Sequence, residues 1–476
     1  MNRVSLSELL AAIEGTPVRL TEPNRVFQRV CTDSRQVEPG DLFWAVRGER
    51  FDGHDFLEEA LRRGAVACVT EPQRGARVDN RVEVPDSVMA LGKFAAWYRQ
   101  GLDALIIGVT GSVGKTTTRE MIFHVLSQRF RGTRSRRNFN NELGVPLTLL
   151  DIDSEHEFAV VEMGARRLHD IASLCEIARP EAGVLTNIAE AHLETFGSLE
   201  LIEQAKGELL AALPPEGFGI CAVDRDQATR LRSRCCCSIS RVGSDEDAEI
   251  RATEISFQHG RLRFHLEGTA YELQAPGRHF LTSALCAAAV GRQIGMAGEE
   301  IARGLAAFHP VEGRANLERI GPWTIINDTY NASPASMSAA CELFSDLDAI
   351  GQRIFVVGDM LELGAEAKRH HRELGRMIAS RNIDRLIAFG THAQDVATGA
   401  LDAGMPSGTV TQASEFDTLQ LSLDCWLEPG DCLLIKGSRG MRMERVIEWL
   451  QTRAEIHRQV ENPQDPASKS IARAVA

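Results

Sequence analysis

Apolar residues along this chain come in short, dense runs separated by amphipathic stretches, the rhythm of strands alternating with helices. In the first hundred residues LFWAV and AVACVT read as strands, and HDFLEEALRRG reads as a helix closed by Gly64. A second block opens at the run ALIIGVT and continues with strands at FAVVEMG (158–164) and AGVLTNI (182–188), each leading into a helical pattern. Around 241 to 275 the pattern changes to alternating polar and apolar residues, EIRATEISF and RLRFHLEG, which predicts an antiparallel excursion. The helix LTSALCAAAVGRQIG follows, then a third block with strands WTIIND, RIFVVGD, RLIAFG and CLLIKGS. From about Ile456 the chain, with ENPQDPASKS, reads as a mobile tail.

This alternation predicts mainly parallel sheets with ligands at the C-terminal ends of their strands. The expectation is an α/β protein of three domains. Residues 1–102 form an N-terminal α/β domain, 103–313 a central P-loop-type domain with a mainly parallel sheet, 314–455 a Rossmann-like domain, and 456–476 the tail.

Composition adds exclusions. The 476 residues are 43% hydrophobic and 25% charged, ordinary for a globular protein, with a formal net charge of −13. That charge argues against a nucleic-acid partner. No apolar run is long enough to span a membrane, and the N-terminus is polar where a signal sequence would be apolar. The expectation is a cytoplasmic protein, working as a monomer, without membrane insertion. The 11 cysteines include the run Cys235, Cys236 and Cys237 but no paired metal-ligand spacing, so they read as small apolar fillers. The cluster KRHH (368–371) reads as a solvated face.

The candidate chemistry starts at GVTGSVGKTTT. A strand feeding a glycine turn at a helix N-terminus presents backbone N–H groups and a favourable dipole to phosphate. Gly111, Ser112 and Gly114 form the turn, Lys115 suits β/γ-phosphate oxygens, and Thr116 and Thr117 open the helix, with the Thr116 hydroxyl suited to Mg²⁺. The spacing is irregular: Val109 stands where the common loop has its first glycine, and Gly108 is one place too early. Glu162, at the end of a buried strand, is a candidate Mg²⁺ ligand. Taken by themselves, His192 reads as a structural histidine and Lys206 as a solvated lysine.

GVTGSVGKTTT, VEMG, NIAEAHLETFGS and AKGELL stand in the order and spacing of the Mur ligases, and from about residue 30 to about 450 the chain resembles that family. NFNNELGVPLTLL, NDTYNASPASM, VVGDMLELG and KGSRGMRMERVIEWL narrow the resemblance to the branch that adds a dipeptide, and no DNPR motif of the diaminopimelate-adding branch is present in the last block. The resemblance implies ATP-dependent joining of D-alanyl-D-alanine to UDP-N-acetylmuramoyl-tripeptide through an acyl phosphate. It makes the N-terminal domain the UDP-binding one, the central domain the ATPase and the C-terminal domain the acceptor-binding one, with hinges near residues 100 and 313.

Residue roles follow from the resemblance. Two Mg²⁺ sites are implied, one at Thr116 and Glu162, the other served by His192 and by Lys206 in carbamylated form. Arg314 is implied to reach the phosphates and Asp328 the ribose, with Asn141 (or Asn140) and His279 toward the adenine. Ser34 and Arg35 are implied at the UDP moiety. Asn331, Ser333 and Asp359 lie at strand ends facing the expected cleft, and Lys436 and Arg439 suit the dipeptide carboxylate, although helix capping accounts for them nearly as well. Val113 and Ser283 depart from the family pattern, which commonly has Asn at both positions. The alternatives are a relative with another acceptor, such as a folylpolyglutamate-type ligase, and a non-catalytic nucleotide-binding homologue. The long TDSR–GDLF segment opposes the first, and the intact Lys115, Glu162, His192 and Lys206 oppose the second.

Overall fold

The computed structural model describes residues 1–48, 51–72, 74, 78–258, 260–275, 277–347 and 349–461, the side chains as far as residue 456. These residues divide into two compact units. One comprises Met1–Asn187, Glu203–Arg251 and Leu285–Gly304; the other comprises Ile188–Ile202, Ala252–Ala284 and the chain from Leu305 onward.

In the first unit, LFWAV supplies the strand Leu42–Trp44 and AVACVT the strand Ala67–Thr70, paired in parallel. Both are buried throughout, which is why they read as unbroken apolar runs rather than alternating ones. Arg81–Glu83 and Val30–Cys31 flank them in parallel, and Thr16–Val18 adds an antiparallel edge. The predicted helix at 54–64 is a 3₁₀ turn, Gly53–Phe56, running into an α-helix, Leu57–Arg62, with Gly64 beyond it at φ +104°. Phe43, Cys68, Leu57 and Ala60 close the core between them.

The second sheet of this unit is parallel, in the order Ser238–Gly243, Phe218–Cys221, Ala182–Leu185, Leu105–Thr110, Phe158–Glu162, Gly132–Arg134. Three of its adjacent strands carry glycines in register: Gly219 pairs with Gly183, and Gly183 with Gly108. A Cβ at Gly108 would lie 2.6 Å from a Leu209 methyl, and one at Gly183 3.2 Å from the Leu209 branch carbon. At Gly219 it would lie 2.9 Å from a Leu210 methyl. The glycines thus form a shallow trough that seats the helix Leu199–Ala211 on the sheet. Gly108 packs against the Leu199–Ala211 helix and is a packing glycine of the sheet.

In the second unit, the segment from Ala252 forms an antiparallel meander with Arg261–Leu266 and Thr269–Gln274. Leu262, Phe264 and Leu266 point inward in strict alternation, as the sequence pattern requires. The alternating region begins later than expected from the sequence, because Ser238–Gly243 is still a parallel strand. The large sheet runs Asn316–Ile320, Trp323–Asp328, Cys432–Lys436, Arg353–Gly358, Arg385–Phe389, Val410–Ala413, parallel except for the first pair. The last strand in sequence is inserted between the second and third, so Asp328, Lys436 and Asp359 come to the C-terminal ends of neighbouring strands.

Three expectations change. His370 and His371, on the helix Ala367–Ala379, are buried, and only Lys368 and Arg369 of KRHH face solvent. The helix Glu444–Glu461 carries regular structure into the segment expected to be a tail, whose remaining residues lie outside the described ones. Cys236 is exposed and Cys235 and Cys237 half-buried rather than core fillers, and all 11 cysteines are free.

Candidate active site

The strand Leu105–Thr110 delivers the phosphate loop onto the helix Lys115–Leu126. Gly111 has φ +148°, and a Cβ there would overlap the Thr186 hydroxyl; Gly114, at φ +85°, caps the helix. The loop is braced from the neighbouring strand end. Thr186 Oγ1 donates to the Val113 carbonyl (2.6 Å), and the Val113 N–H donates to Asn187 Oδ1 (2.8 Å). The Ser112 N–H donates to the Asn187 carbonyl at 3.2 Å. Lys115 folds back, its ammonium 2.7 Å from the Gly111 carbonyl. Thr117 is half-buried on the first helical turn.

Beneath the loop lies a charged cluster. Glu162, 2% exposed, accepts from the Thr116 hydroxyl (2.9 Å) and from an Arg119 nitrogen (3.0 Å) on one oxygen, and from Asn140 (2.9 Å) on the other. Arg119, equally buried, also pairs with Glu120, which Arg134 reaches from the other side. A hydroxyl and a carboxylate are the hard oxygen donors that Mg²⁺ takes, so Thr116 and Glu162 fit that ion. Arg119 gives the same carboxylate an ion-pair partner. Arg119 and Asn140 were missed as members of this cluster. The i, i+3 spacing of Thr116 and Arg119 on one helix was the available signal for the arginine. Asn140 sits at Glu162, whereas Asn141 Oδ1 accepts from the N–H of Gly144, the first residue of the next helix (3.0 Å).

Lys206 lies on the helix seated in the glycine trough and is 1% exposed, not solvated. Desolvation, reinforced by the positive charge of Lys115, pushes its pKa from 10.5 down to about 7. Near neutral pH a large share of it is a free amine, the form that can add CO₂. As an ammonium it does not fit a cation site; as a carbamate it would.

In the second unit His192 caps the short helix Leu193–Phe196, and its Nδ1 is hydrogen-bonded to Glu362. Arg314 stacks 3.8 Å over the ring of Tyr330, a residue not singled out from the sequence. Asp328 and Lys436 meet: the ammonium donates to Asp328 (2.6 Å) and to the Asn331 carbonyl (2.9 Å). The Arg439 N–H donates to Asn331 Oδ1 at 3.4 Å, and the Arg439 side chain is 65% exposed. Ser333 caps the helix Pro334–Asp346 in a capping box with Ser336. Asp359 accepts from the backbone N–H groups of Thr391 (2.7 Å) and His392 (3.0 Å), so it fixes a loop. His279 is exposed beside Phe280. In the N-terminal part of the first unit, buried Ser34 donates to Glu59 (3.3 Å), while Arg35 pairs with Asp33 and is otherwise exposed.

Three family descriptions match this chain: the Mur ligase family catalytic domain over residues 26–99, the Mur ligase middle domain over 109–291, and the Mur ligase glutamate ligase domain over 313–439. A Bacillus subtilis protein named UDP-N-acetylmuramoyl-tripeptide–D-alanyl-D-alanine ligase is 34% identical, over 94% of this chain and 99% of its own. A crystal structure of MurF from Acinetobacter baumannii superposes with a TM-score of 0.83 at 30% identity, covering 95% of this chain and 99% of that one. MurF from Thermotoga maritima in complex with ADP gives a TM-score of 0.78 at 31% identity, covering 90% and 98%.

Proposed function

The chain belongs to the Mur ligase family, and we propose that it is the family's dipeptide-adding ligase, joining D-alanyl-D-alanine to UDP-N-acetylmuramoyl-tripeptide with conversion of ATP to ADP and phosphate. The relatives that match it nearly end to end carry that activity in their names. The structural observation that carries the reading is the amine of Lys206, buried beside the phosphate-loop lysine and held near neutrality.

The reaction starts from two anions that repel each other, a peptide carboxylate and the γ-phosphate of ATP. Lys115 and the loop N–H groups hold the phosphates and draw charge from the γ-phosphoryl group as the carboxylate attacks it. The product is an acyl phosphate, and its carbonyl now carries a good leaving group. The amine of the dipeptide adds to that carbonyl, and the tetrahedral intermediate collapses to the amide and releases phosphate.

Thr116 and Glu162 would hold one Mg²⁺, and the family resemblance would assign His192 and, once carbamylated, Lys206 to a second. When bound, Mg²⁺ neutralises phosphate charge. The Lys206 ammonium first gives up a proton to become the amine; CO₂ then adds to that amine with loss of a second proton, so a repulsive cation becomes an oxygen-donor anion. Arg314, shelved on Tyr330, supplies a further cation toward the phosphates. With Lys436 committed to Asp328, the exposed Arg439 is the better partner for the dipeptide carboxylate. Ser34 and Arg35 serve the UDP moiety.

The test is to incubate the protein with ATP, Mg²⁺, the UDP-linked tripeptide and D-alanyl-D-alanine while following phosphate release and product mass. Release that requires both substrates, with a product heavier by the dipeptide residue, is the expected outcome. Release with a different amine only, or none with any, refutes the reading.

A further inference from the structure

The loop that carries His192 is docked onto the DMLELG segment more firmly than a surface ion pair requires. His192 Nδ1 and a Glu362 carboxylate oxygen are hydrogen-bonded. The Glu194 N–H donates to the Glu362 carbonyl at 3.1 Å. Farther along, Glu190 lies 3.6 Å from Nε2 of the buried His370. Gly364, at φ +56°, lies against the same loop: a Cβ there would be in van der Waals contact with Glu194 Cα, at 3.4 Å.

The backbone is also strained on both sides of the contact. His192 has φ +54° and Glu362 φ +63°. A non-glycine residue is disfavoured in that region, so it persists where the surroundings over-determine it. Two such residues hydrogen-bonded to each other mark a built contact. The segment Ile188–Ile202 accordingly belongs to the same compact unit as Glu362 and the sheet bearing Asp359 and Lys436.

We propose that Glu362 is a positioning residue for the ligase reaction: it accepts the Nδ1–H of His192, fixes the ring so that Nε2 is the working nitrogen, and holds the 188–196 loop on the acceptor-binding sheet. A carboxylate behind a histidine sets tautomer and orientation in this way. The proposal rests on the reading of His192 as an activation-site residue.

The test compares Glu362→Ala, Glu362→Gln and Glu362→Ala in a His192→Ala background. In the nucleotide-free protein, Glu362→Ala should speed amide hydrogen exchange across 190–196 by about tenfold or more, while exchange elsewhere stays unchanged. Its kcat should fall about 10–100-fold, with KM for the UDP-linked tripeptide nearly unchanged. Glu362→Gln, whose amide oxygen still accepts, should recover most of both, and Glu362→Ala should cost nothing further once His192 is alanine. Wild-type exchange and kcat in Glu362→Ala, no recovery in Glu362→Gln, or a full additional loss in the double variant would overturn the proposal. Lack of turnover by the unaltered protein would refute the ligase reading instead, and the exchange measurement would still decide the clasp.

Discussion

Lys206 and Lys436 expose 1% and 2% of their surface, yet their surroundings differ in kind. Beside Lys436 stands a half-buried carboxylate: its ammonium donates to Asp328 at 2.6 Å and to the Asn331 carbonyl at 2.9 Å. Around Lys206 the strongest influences are loss of water and a second cation, Lys115, with Glu208 and Asp170 opposing more weakly. The first arrangement pairs the lysine with a carboxylate. In the second, desolvation and the Lys115 charge favour the neutral, nucleophilic amine. Burial alone does not decide what a lysine does; the charges around it weigh as well.

The largest effect should come from removing the second kind of lysine. Lys206→Ala should lower turnover by about 10³-fold or more, the scale of deleting a central electrostatic group, while nucleotide titration gives an ATP affinity within a few-fold of wild type. Full activity in that variant would sink the carbamate assignment. Removing the first kind should act on stability instead. Lys436→Met leaves Asp328 without its cation and should cost about 3–5 kcal/mol in chemical denaturation. Lys436→Met with Asp328→Asn should regain much of that, and equal losses in both would contradict the pairing account.

The contrast also predicts a pH dependence. Lys206 has a pKa of about 7 in the folded chain against 10.5 when unfolded. Between those values the unfolded chain binds the extra proton, so stability should rise with pH across that window, while below about 7 both states are protonated and the burial penalty is complete. In CO₂-free buffer the urea midpoint should rise over this range and be flatter in Lys206→Met; identical profiles would argue against a depressed pKa. The smallest effect should come from Val113→Asn. The loop uses only the backbone N–H and carbonyl of Val113, so KM for ATP should stay within about twofold.

What the sequence disclosed was what local pattern can encode. The phosphate loop, the apolar parallel strands and the alternating meander each follow from residues near one another in the chain. Lys206 and His192 were legible only through resemblance, because a lysine in AKGELL looks solvated until its helix is seated on Gly108, Gly183 and Gly219. The Asp328–Lys436 pair joins residues 108 apart, and no local spacing announces it. Charge pattern misled at KRHH: two histidines follow two cations in sequence, but helical geometry turns the histidines inward. The Glu362–His192 contact spans 170 residues and links two motifs that looked independent.

The central claim is that this protein activates a carboxylate by phosphorylating it. The direct measurement uses the UDP-linked tripeptide labelled with ¹⁸O in its reacting carboxylate and mass analysis of the phosphate released on adding ATP and D-alanyl-D-alanine. Attack by that carboxylate predicts one ¹⁸O in each phosphate formed. Unlabelled phosphate accompanying the amide product would contradict the account.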